Sequence, residues 1–169
     1  STDSAVYKWE NGTKQDLRFL DERLYANDVA YYFPRTEEKL ERALSESELA
    51  VVSKPDRPIR NSEAILEKVR SGGKLLIMDH NKSGAYSNSL LSGIGMEIVP
   101  AEMSASAAYR DLKGIPLTGE ASAVRGGEAW MRDERGNVIC AVTALGEGIV
   151  AVFSDPDLFY NAHLGDVSA

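Results

Sequence analysis

Gly146-Glu147-Gly148 feeds the apolar run Ile149-Val150-Ala151-Val152-Phe153, which stops at Ser154-Asp155-Pro156-Asp157. A continuous apolar run bounded by turn signals is the signature of a strand buried on both faces. Strands of that kind belong to parallel sheets, which helices must cover. Polar residues at their carboxyl ends stand where open α/β sheets place ligands. One block therefore constrains both the fold class and the position of a site.

The rest of the chain supplies the alternation that such a sheet needs. Ala5 to Trp9 reads as a first strand closed by Asn11-Gly12, and Thr13 to Tyr25 as a helix with Leu17, Leu20 and Leu24 on one face. Asp28 to Phe33 is rich in strand formers and ends at Pro34. Thr36 opens a helix whose acids Glu37 and Glu38 suit the helix dipole, with Leu40, Ala43 and Leu44 facing inward. Leu49 to Val52 is a short buried strand. Asn61 is expected to cap a helix over 62–71 that Gly72-Gly73 stops. Lys74 to Met78 is the next strand, with Asp79-His80-Asn81 at its end. Ser87 to Ser92 starts a short helix, and Met96 to Val99 reads as a further strand.

Beyond Pro100 the pattern weakens. Ser104 to Arg110 reads as a helical turn, Ile115 to Leu117 as an edge segment, and residues 128–143 as a hairpin around Asp133-Glu134-Arg135-Gly136. The 169 residues contain no repeat and no linker, so a single α/β domain over 1–169 is expected.

Charge and motifs narrow the function. The net charge of -7 and the absence of a basic stripe argue against a nucleic-acid partner. No apolar run approaches the roughly 20 residues of a membrane span, so direct insertion of this segment is not expected. No basic-then-apolar leader is visible at the amino terminus. There is no phosphate loop, no dinucleotide-binding glycine motif and no nucleophile elbow. The single cysteine, Cys140, lies in an apolar run and reads as a small buried hydrophobe.

The remaining chemistry lies at two strand ends. Asp79, His80, Asn81, Asp155, Asp157 and Asn161 are the candidate ligand contacts. In a parallel sheet these ends share one edge, so the groups could face a common crevice. The competing reading is that the acids cap the turns that follow them. A weak cation site through Asp79, Asp155 and Asp157, or a zinc site from His80, His163 and one aspartate, can be drawn. No ligand spacing supports either, so no metal and no cofactor are expected.

Three segments together carry a resemblance: Asn61 to Asp79, with its helix ending in Gly-Gly and its strand ending in Asp; Asn88 to Met96; and Gly146 to Asn161. Over about residues 28–165 the chain is similar to the GIFT-type domains, named for gliding-motility transporter and intraflagellar-transport proteins, and to related bacterial and archaeal ectodomains of unknown function. The resemblance implies a class I glutamine amidotransferase-like fold: a three-layer sandwich around a mostly parallel, flavodoxin-like sheet, here with the added hairpin. The amidotransferase nucleophile would be a cysteine at a strand-to-helix elbow, where this chain reads Met78-Asp79-His80-Asn81. The resemblance therefore implies a non-catalytic module that binds sugars or a protein partner in a membrane-associated, often extracytoplasmic, assembly. The alternative is a hydrolase of a carbohydrate or amide substrate, with Asp79 or Asp155 as base and His80 as its partner.

Overall fold

In a computed structural model of the chain, the described residues are 25–32, 34, 36–81 and 85–159. The expected strand Ala5 to Trp9, nearly all of the helix Thr13 to Tyr25, and Asn161 lie outside them. Strand β1 (Tyr31–Tyr32) leads to helix α1 (Glu37–Glu46), where the Thr36 hydroxyl accepts the Lys39 N–H at 3.3 Å. Leu40, Ala43 and Leu44, spaced on one face, are buried. Strand β2 (Leu49–Ser53) and helix α2 (Ser62–Arg70) follow.

The expected Asn61 cap is corrected. Its side chain makes no capping bond, because its backbone leaves the extended region a capping residue adopts. Ser62 anchors that end instead, donating to the carbonyls of Ile59 and Ser89 at 3.0 Å each. Gly72, at φ +117, ends α2 in a conformation that side chains rarely take.

Strand β3 (Lys74–Met78) pairs parallel with β2, from Ala50 opposite Leu75 to Ser53 opposite Met78. The two crossovers step across the sheet in the same direction, and right-handed crossovers in that case put their helices on one face. Accordingly α1, α2 and the short helix α3 (Asn88–Leu91) share one core cluster with Ala50, Val52, Leu75, Ile77, Val150 and Val152. Burying each large aliphatic there is worth about 1.5–3 kcal/mol.

The segment over 97–125 departs from the expected alternation. Strand β4 (Glu97–Val99) does not join the parallel sheet. It pairs antiparallel with β7 (Ala123–Arg125) in a separate ribbon, Ile98 opposite Val124. Glu97 is exposed, and an exposed charge does not suit a strand covered on both faces. The expected helical turn over 104–110 is instead strand β5 (Ser106–Tyr109), hairpinned to β6 (Leu112–Pro116). Local alanine content favours helix there, but pairing on both sides outweighs it. The expected edge segment is present: β6 is the last strand of the sheet, where Pro116 costs no interior ladder bond.

Strands β8 (Glu128–Asp133) and β9 (Val138–Leu145) form the expected hairpin, and β10 (Gly148–Phe153) is the opening apolar run. β10 lies between β3, parallel to it, and β9, antiparallel. The eight-stranded order is β1-β2-β3-β10-β9-β8-β5-β6. The fold is mixed α/β. Its described sheet is half parallel and half antiparallel rather than mostly parallel, because the chain after β4 returns as hairpins.

Candidate functional site

Strands β2, β3 and β10 run parallel, so Ser53, Met78 and Phe153 end at one level. The next residues form the carboxyl edge. Alternation sends neighbouring side chains to opposite faces. Met78 and Phe153 belong to the second core cluster, on the face away from the described helices. Asp79 therefore turns toward the helical face and Asp155 toward the other.

Each of these buried acids is held by hydrogen bonds. Asp79 Oδ2 accepts the Ser87 N–H at 3.2 Å and the Ser87 hydroxyl at 2.6 Å, ahead of α3, while Oδ1 accepts the His80 N–H at 2.9 Å. Burial raises the Asp79 pKa above the usual carboxylate value, and the Ser87 and His80 bonds only partly offset that. Asp155, wholly buried, accepts the Thr118 N–H at 2.8 Å and the Thr118 hydroxyl. The two acids are thus tied to different partners, Asp79 to Ser87 and Asp155 to Thr118.

Asn81 is also tied in: its N–H donates to Ser122 Oγ and its amide to the Ile98 carbonyl, both at 2.8 Å. Ser154 Oγ donates to the Ser122 carbonyl at 2.6 Å and to Ile139 O at 3.0 Å. These bonds seam three loops together at the edge, and the seam brings up a different set of side chains. A ring nitrogen of His80 and carboxylate oxygens of Glu120 and Asp157 lie within 4.8 Å of one another, all three half-buried. The Lys54 ammonium contacts Asp157. Lys54 has φ +43, an unusual conformation for a lysine, and its N–H donates to the Met78 carbonyl at 2.8 Å.

Of the sequence candidates, His80 and Asp157 thus meet, Asp79, Asn81 and Asp155 serve as ties, and Asn161 lies outside the described residues. Lys54 and Glu120 were missed. The rule that selected Asp79 and Asp155, a polar residue after a buried parallel strand, selects Lys54 when applied to β2. Glu120 carries no local signal, because its loop is brought to the edge by long-range bonds, Thr118 to Asp155 and Ser122 to Asn81 and Ser154. The same loop lines an open cleft of about 390 Å³ with Met103, Ser104, Leu117, Thr118 and Gly119, and none of the five described candidates lines it.

Cys140 stands opposite Phe153 and packs against the second core cluster. Half-buried in β9, its thiol is pushed up to about 11 by burial, the opposite of an activated nucleophile.

No family model and no curated protein matches the chain. Solved structures do match in fold. The GH42 β-galactosidase Gan42B from G. stearothermophilus is 14% identical, with a TM-score of 0.59 over 96% of this chain. A cytoplasmic protein from Salmonella typhimurium LT2 is 15% identical, with a TM-score of 0.56 over 83% of this chain and 76% of its own. The exo-β-1,4-mannosidase Op5Man5 from Opitutaceae bacterium strain TAV5 is 19% identical, with a TM-score of 0.52 over 68% of this chain. The chain spans only 27% of the galactosidase and 21% of the mannosidase. At these identities the likeness is one of fold.

Proposed function

We propose that this domain is a non-catalytic binding module that recognises a polyhydroxylated ligand, a sugar or a glycosylated partner, in a membrane-associated assembly. The observation that carries the reading is the state of the two strand-end acids. Asp79 and Asp155 are buried, and each of their carboxylate oxygens already accepts a hydrogen bond from the scaffold, so both act as ties rather than as bases turned toward a substrate. The recognition groups are His80, Glu120, Asp157 and Lys54, a mixed donor and acceptor set suited to hydroxyls. The same proposal extends to the scaffold: a flavodoxin-like three-layer sandwich of the class I glutamine amidotransferase kind, related to GIFT-type domains. The parallel run β1-β2-β3-β10 and the shared crossover sense support it.

A hydrolase is the second reading, and one distance favours it. Glu120 and Asp157 each bring a carboxylate oxygen within 4.8 Å of the other, the pairing of two acids that a glycosidase uses. The glycoside hydrolases among the structural neighbours lend it support at the level of fold.

A glycan screen in the presence of chelator, on wild type and Asp157→Asn, tests the binding reading. Glycan capture that Asp157→Asn loses is the expected result, and no capture by wild type overturns it. Turnover of a p-nitrophenyl glycoside by wild type, abolished in Glu120→Gln, replaces it with the hydrolase.

A further inference from the structure

We infer that His80, Glu120 and Asp157 form a binding site for a borderline divalent metal ion of the Zn²⁺ class. One imidazole nitrogen and two carboxylate oxygens, from three separate segments, converge at the carboxyl edge. Three protein ligands leave at least one coordination position for water or an incoming ligand. Nitrogen in the set disfavours Ca²⁺ and Mg²⁺, which take oxygen ligands. Ligands about 2.0–2.1 Å from a tetrahedral ion stand about 3.3 Å apart. The present separations are at most 4.8 Å, so binding requires the three side chains to draw in toward that spacing.

A second observation points to the same place. Ser53 Oγ is buried, 1% exposed, and has no hydrogen-bond partner. An orphaned buried hydroxyl calls for an explanation, commonly a water or ion. Ser53 is in register with Met78 at the end of β2, so its side chain turns to the face of the second cluster. His80 follows Met78 by two residues, and Lys54, next to Ser53, reaches Asp157. The orphan hydroxyl thus lies at the carboxyl end of β2, beside Lys54 and on the same sheet face as Met78, which leads to His80.

Lys54 gives the site a resident competitor. Its ammonium supplies one positive charge against the carboxylates of Glu120 and Asp157. A divalent ion neutralises both and repels Lys54, which must swing away for the ion to bind. The metal site does not rest on the sugar reading, and its test contains no glycan.

The test is calorimetric titration of Zn²⁺ into the chelator-treated chain, with circular dichroism confirming that each variant is folded. One ion per chain is expected for wild type. His80→Ala and Glu120→Gln should each weaken binding by at least about tenfold. Lys54→Met should tighten it several-fold, a sign that a merely structural lysine would not produce. His163→Ala, at the only other histidine, should leave it unchanged. The proposal is overturned by wild type that takes no Zn²⁺, by unchanged affinity in Glu120→Gln, or by loss of binding in His163→Ala. Glu120→Gln preserves side-chain volume on a loop, so it remains informative should His80→Ala not fold.

Discussion

The parallel half of the sheet buries Asp79 at the end of β3, the antiparallel half buries Asp133 at the end of β8, and these two are solvated in opposite ways. Asp79 follows β3, and its buried carboxylate takes three donors, two of them from Ser87. Burial outweighs those bonds and raises its pKa. Asp133 ends β8 at the hairpin, where burial also acts to raise its pKa. There the donors win: Asn137 gives its side-chain amide at 3.0 Å and its N–H at 2.8 Å, Ser104 its N–H at 2.8 Å, and Arg135 its N–H at 3.0 Å. The hairpin is thus organised around an ionised carboxylate. The parallel edge instead holds a charge that it solvates incompletely, and such under-solvated groups collect where ligands bind.

The largest expected difference between the halves is in the backbone. A Cβ on Gly148, where β10 starts, would fall 1.9 Å from the Val69 carbonyl oxygen and 2.3 Å from that of Gly73. Both are backbone atoms at the end of α2, so the helix must lift off the sheet. Gly148→Ala should cost about 3 kcal/mol or more. Gly136 in the hairpin turn has φ +87 but open space around it, so Gly136→Ala should cost only about 1 kcal/mol. Urea midpoints for the two variants decide this, and equal midpoints would break the contrast.

Asp155→Ala comes next. It strands the Thr118 N–H and hydroxyl beside a wholly buried position, for an expected loss of about 2–3 kcal/mol. It should also release the loop bearing Glu120. Amide exchange at Thr118 and Glu120 should therefore quicken far more than at Asn137, and uniform exchange across both regions would count against the seam.

How much of this the sequence disclosed follows the same division. Where side chains repeat with the period of their element, as Leu40, Ala43 and Leu44 do on α1 or Ile149 to Phe153 on β10, local pattern and final structure agree. The hairpin at 128–143 was equally readable, from Gly136 and its flanking strand formers. Ser106 to Tyr109 was not, because its strand state depends on pairing with β8, distant in sequence, as well as with the neighbouring β6. The candidate site divides likewise. Strand ends marked His80 and Asp157 as polar groups on a shared edge. Their meeting with Glu120 depends on a loop held by Thr118 and Ser122, and no spacing in the chain encodes that.

The two aspartates give opposite pH signatures. Asp79 has a raised folded pKa, so its contribution to stability is fully present below the unfolded value and is lost as pH rises through the folded one. Asp133 has a lowered folded pKa, so its contribution is present above the unfolded value and is lost as pH falls through the folded one. Stability measured by urea at successive pH values should therefore change slope in opposite senses. Asp79→Asn removes a decline on the alkaline side of the usual carboxylate range, and Asp133→Asn removes one on its acid side. Matching shifts in the two variants would show that burial alone governs both sites.

The smallest effect belongs to Cys140, on β9 where the two halves join. Its partly buried side chain packs against the second core cluster. Cys140→Ala removes one small apolar contact and should cost about 1 kcal/mol. Reactivity is the sharper readout. Burial moves the thiol from 9.0 to about 11, which cuts the thiolate at neutral pH by about 100-fold. Alkylation of the folded chain near pH 7.5 should therefore run about 100-fold slower than in urea. Equal rates would mean that β9 opens readily at the join, and that the antiparallel half separates from the parallel half before the chain as a whole unfolds.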